Sequence, residues 1–99
     1  MIEKEISEKG NKCSLNHIDV SRIKNMSWLF SRVGYGFHTF EGDISKWDVS
    51  NVESMQYMFE RNTYFNNDIS NWKISPLCNI HEMFHRSTIK EEYKPKNVN

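Results

Sequence analysis

Thirteen Lys and Arg balance thirteen Asp and Glu over 99 residues, and with no net charge and no basic stripe the chain offers nothing to a nucleic-acid backbone. An apolar share of 37% is low for so small a chain, so the 13% aromatic share has to supply much of the core. No apolar run follows the first charges and none reaches the length of a membrane span, which predicts a cytoplasmic chain with no membrane partner.

In chain order, residues 1–13 read as an N-terminal capping segment. Its helix runs from Ile2 to Lys9, with Glu5 and Lys9 one turn apart. Cys13 and Cys78 match no ligand spacing and read as reduced thiols. Three copies of one unit follow, at 14–39, 40–64 and 65–87. Phe40, Asp43, Ile44, Ser45, Trp47 and Ser50 return 25 residues later as Phe65, Asp68, Ile69, Ser70, Trp72 and Ser75. The register continues through Val49/Ile74, Val52/Leu77, Met55/Ile80, Met58/Met83 and Phe59/Phe84. The first copy is fainter. Asp19, Val20, Ser21, Ile23, Met26 and Phe30 stand 29 residues before their counterparts, Leu15 replaces Ile44 and Ile18 replaces Trp47. Its extra residues fall in the segment 33–38.

Within a unit, Trp47 and Val49 alternate with polar neighbours, which predicts a short strand. Val52, Met55, Met58 and Phe59 mark one face of a short helix, with Ser50 and Glu53 as a capping box and Pro76 in the first turn of the third copy. The expected fold class is therefore an α/β repeat solenoid of about three repeats with short parallel strands and short helices. Residues 88–99 are expected to form a C-terminal cap and a flexible tail.

The run Asp-Ile-Ser-x-Trp-Asp-Val-Ser-Asn-Val-x-x-Met-x-x-Met-Phe at 43–59 resembles the repeat of BspA-like bacterial surface proteins, a mycoplasma-type lipoprotein repeat related to leucine-rich repeats. The resemblance covers roughly residues 14–87. It implies a right-handed leucine-rich-repeat-like coil with a protein-binding, often adhesive role and no catalytic residues. The short chain without an export signal points to a small intracellular binder or to a piece of a larger surface protein.

His81-Glu82-Met83-Phe84-His85 spells the H-E-x-x-H pattern, in which two His on one helical face bind zinc and the Glu acts as general base. The repeat register accounts for it otherwise. His81 and His85 fall at the places of Gln56 and Glu60, variable positions around the Met-Phe anchors, so adventitious metal binding is the most they are expected to do. No cofactor is expected, and no enzymatic activity. Partner-binding residues are sought where the coil faces outward: the column Asp19, Asp48 and Lys73, and Lys46 and Asn71 beside the Trp positions. The loop carrying Tyr35, Phe37 and His38 between glycines fits an aromatic anchor, and equally fits inward packing beside Ile18. The expected function is a non-enzymatic protein-interaction module. The alternatives are a small inhibitor from a phage or mobile element that blocks a host or defence protein, and a chain that stacks end to end on copies of itself.

Overall fold

The apolar alternation and the threefold spacing do not become strands and helices. In a computed structural model describing residues 2–96, the helical elements are α1, Ile2–Lys9, and a single 3-10 turn, Glu91–Tyr93. Strand pairing among the described residues is confined to two isolated parallel bridges, Asn25 with Ser54 and Ser54 with Asn79. With one α-helix and no sheet among the described residues, the chain is not an α/β repeat solenoid.

The reason lies in where the backbone N–H groups go. Those of Met26, Trp28, Phe30 and Arg32 donate to the carbonyls of Ser54, Gln56, Met58 and Glu60 in the next segment. Those of Met55, Tyr57, Phe59 and Arg61 donate in turn to Asn79, His81, Met83 and His85, all over 2.7–3.2 Å. An α-helix would need the same donors for its own carbonyls four residues back. The N–H groups in between close tight turns three residues back, as from Met58 to Met55 and Glu60 to Tyr57. A sequence of such turns repeats its apolar positions every three residues, close enough to the helical period to be mistaken for it. Each ladder also bends through left-handed residues, with φ of 65° at Trp28, 57° at Tyr57 and 50° at Glu82, and again at Arg61 and Arg86. A left-handed residue ends any helix, and its cost of about 1–2 kcal/mol per non-glycine residue must be offset by the ladder and the packing beneath it.

The packing is aromatic. Phe59 stacks on Phe30 at 5.5 Å and on Phe84 at 5.3 Å, Phe30 stacks on Phe40 at 5.1 Å, and Trp47 stacks on Trp72 at 6.3 Å. Each buried indole N–H reaches the preceding segment, Trp47 donating to the Leu15 carbonyl at 2.8 Å and Trp72 to the Ile44 carbonyl at 3.0 Å. Leu15 thus serves the first segment as Ile44 serves the second. Asn62, fully buried, donates from Nδ2 to the Phe30 carbonyl and accepts at Oδ1 from the N–H groups of Tyr64 and Phe65.

Two local expectations are also corrected. Ser50 forms no capping box with Glu53; its N–H and hydroxyl both donate to Asp48 Oδ1. Leu77 does not take the place of Val52. Val52 closes a turn on Val49, whereas past Pro76 the turn is closed by Cys78 on Ser75, so Cys78 goes inside and Leu77 stands 92% exposed. At the ends, α1 packs Ile2 and Ile6 on the core and pairs Glu5 with Lys9 at 3.0 Å. Lys94 lies over the Phe84 ring and Pro95 is buried, while residues 97–99 of the expected flexible tail lie outside the described residues.

Candidate interaction surface

The outward column forms from short turns. Asp19 Oδ1 accepts from the N–H of Ser21 at 2.9 Å and from its hydroxyl at 2.6 Å, and Asp48 does the same with Ser50. Hydroxyl and backbone donors hold both carboxyls below the usual carboxylate range, opposed in part by desolvation and, at Asp48, by the Asp19 charge as well. The two turns are neighbours, with Asn51 Nδ2 donating to the Ser21 carbonyl at 2.9 Å, and each aspartate is needed by its own turn. Lys73, the third member, is exposed, as are Lys46 and Asn71.

The inserted loop divides its aromatic residues. Tyr35 is 67% exposed, Phe37 packs against the core, and His38 is half-buried with its ring edge-on to Tyr64. The inward packing is therefore that of Phe37, while Tyr35 stands at the surface.

Tyr35 and Phe37 border a cleft of about 500 Å³ that opens between α1 and the first segment. Met26 and Leu29 line it, Ile23 and Ile2 flank it, and Glu3 and Asp19 are its charged side chains. Ile23 is 44% exposed although its counterpart Val52 is 2% exposed, because Val52 lies between two segments and Ile23 has a neighbour on one side. Sequence reasoning missed Ile23 and Leu29 as cleft-lining residues, whereas Met26 is core, 3% exposed, as its register predicts. The available signal was the place of Ile23 and Leu29 in the first copy, where the stack ends. A second cleft, of about 280 Å³, lies at the other end and is lined by Asn71, Trp72, Lys73 and Lys96, among others. The expected partner-binding residues thus fall into two groups: Asp19, Tyr35 and Phe37 at one end, Asn71 and Lys73 at the other. Lys46, Asp48 and His38 line neither cleft.

The 81–85 segment is a turn, with Glu82 in the left-handed region and its carboxylate 2.7 Å from His85 Nδ1. His81 stands edge-on to Tyr57, so the two imidazoles do not share a helical face. Among the described residues no group of three His, Cys, Asp or Glu could hold a metal ion. Cys13 and Cys78 are both free, and burial pushes the Cys78 thiol up. No helix is long and apolar enough to cross a membrane among the described residues.

Fold and surface together define a small domain of stacked turns, cross-linked by backbone ladders and cleft at its two ends. The chain belongs to the family described as Mycoplasma protein of unknown function, DUF285, whose model matches residues 3–97. No curated protein and no solved structure matches it.

Proposed function

We propose that the chain is a non-enzymatic protein-interaction module whose cleft between α1 and the 33–38 loop receives an apolar segment of a partner protein carrying a Lys or Arg. One observation carries the reading: an apolar cleft of about 500 Å³ with exposed Tyr35 at its border and the carboxylates of Glu3 and Asp19 beside it. Tyr combines a rigid apolar ring with a hydroxyl and is a frequent energetic anchor, and two acidic side chains without a lining cation favour a basic neighbour in the occupant. The resemblance of residues 43–59 to BspA-like surface proteins, read as protein binders, supports the same class.

Selection from a displayed peptide library against the folded chain tests this. Enriched peptides should pair apolar residues with Lys or Arg and shift the NMR signals of Ile23, Leu29 and Tyr35. Tyr35→Ala should weaken them by about 1–2 kcal/mol, roughly tenfold or somewhat more in Kd, with little change in melting temperature. Peptides that shift only residues at the other end, or no enrichment at all, would refute the assignment.

A further inference from the structure

Over 26–32 and 55–61 the backbone ladders run one way, with reverse bonds only at their margins, from Glu53 and Ser54 to the Lys24 carbonyl, from Asn79 to that of Glu53 and from Thr88 to that of Asn62. First-segment N–H groups donate to second-segment carbonyls, and second-segment N–H groups donate to third-segment carbonyls. At the first segment this leaves the carbonyls of Asn25, Ser27 and Leu29, which accept no hydrogen bond from the described residues. At the third it leaves the N–H groups of Ile80, Glu82, Phe84 and Arg86, which have no acceptor among them. The acceptor edge belongs to the 500 Å³ cleft, since Asn25, Ser27 and Leu29 line it. The terminal caps leave both edges unpaired: α1 contributes Ile2 and Ile6 at one end, and at the other the Tyr93 carbonyl takes the Ile69 N–H.

The charged side chains that line the two clefts are opposite in sign. Glu3 and Asp19 lie along the cleft with free carbonyls, and Lys73 and Lys96 lie along the cleft at the end with free N–H groups. Continuing the column Asp19, Asp48, Lys73 by one step would set Lys73 against the Asp19 of a following chain. Ile23, half exposed where Val52 is sealed, would be covered in the same step.

We infer that a second copy of this chain docks head to tail, the 80–86 edge of one copy completing the ladder of the 25–29 edge of the next. The inference rests on the cleft being a binding surface and names its occupant. Adding one ladder step to an open edge gives backbone hydrogen bonds without a new fold, as when an edge strand accepts a strand from another chain. Because the two edges differ, the contact is heterologous and propagates instead of closing as a twofold dimer.

Sedimentation of the purified chain from micromolar to millimolar concentration tests this. The expected result is a progressive series of species, with the amide signals of Ile80, Glu82 and Phe84 gaining protection as concentration rises. Ile23→Arg, which blocks the acceptor edge, and Lys73→Glu, which blocks the donor edge, should each abolish the series. Mixed, they should form a complex that stops at one-to-one, through the intact edge of each. Lys73→Gln is the milder donor-edge variant should Lys73→Glu fail to fold. A strict monomer at every concentration, or self-association that persists in both folded variants, overturns the inference. A monomer that still binds selected peptides at Tyr35 would overturn the second copy as occupant and leave the proposed function standing.

Discussion

At the scale of single residues, stability concentrates in polar side chains that finish backbone hydrogen bonds. Asn62 is the sharpest case, since its amide serves the Phe30 carbonyl and two N–H groups from a fully buried position. Asn62→Ala leaves those groups unpaired and should cost about 3 kcal/mol in denaturant unfolding, against little change for exposed Asn71→Ala. Four aspartates, Asp19, Asp43, Asp48 and Asp68, have carboxyls held below their ordinary value of 3.8 by the hydroxyl and N–H of the Ser two positions on. A carboxyl depressed in the folded state binds protons less readily than the unfolded chain does. Its stabilisation is complete above 3.8 and is lost as pH falls through the depressed folded values. Acid unfolding should therefore steepen below that point. Asp48→Asn, which keeps an acceptor for the same turn just as Asn25 does for Ser27, should flatten the dependence without removing the turn. A pH titration of the unfolding midpoint for both chains checks this.

At the scale of elements, alternate N–H groups are divided between turn and ladder, with left-handed corners in between. Arg86 adopts φ of 58° on an exposed turn. Arg86→Gly should relieve about 1 kcal/mol, and Arg86→Val, β-branched at the same corner, should lose about as much again or more. Equal midpoints for the two variants would show the corner to be unstrained. The ladder predicts its own exchange pattern. The N–H groups of Met55, Tyr57, Phe59 and Arg61 are bonded in the middle of the stack, and those of Ile80, Glu82, Phe84 and Arg86 have no acceptor among the described residues. In dilute solution the first set should exchange far more slowly than the second, as read by amide hydrogen exchange.

At the scale of the whole molecule, the stack is held by ring-on-ring contacts and by hydrogen bonds that pass from one segment to the next. Far-UV circular dichroism should show helix limited to α1, eight residues, and a strong helical spectrum would contradict the turn architecture. A stack of this kind has two unlike ends. The inner positions are sealed by a neighbour on each side, as at Val52, and the end positions are sealed on one, as at Ile23. Its clefts therefore lie where the stacking stops, and the binding chemistry proposed for them follows from that placement.

The amino-acid sequence alone made several pairings readable. The offsets of 25 and 29 residues identify which side chains are equivalent, and Trp47 over Trp72, Phe59 over Phe84 and the substitution of Leu15 for Ile44 follow from identity and spacing. The helix Ile2–Lys9 was readable because its Glu5–Lys9 pair and apolar positions are local. The backbone path between equivalent positions was not. Val52, Met55, Met58 and Phe59 suit a helix as well as a run of three-residue turns, and the choice depends on whether Met55 and Tyr57 find acceptors in their own segment or in the next. Nothing local to 52–59 encodes that. The carbonyls of Asn79 and His81, at hydrogen-bond distance in the third segment, take the N–H groups that a helix over 52–59 would need, and the third segment keeps the same turns because its carbonyls serve that ladder. The clefts were hidden for the same reason, since an end position differs from an inner one by the absence of a neighbour and not by its own residue type.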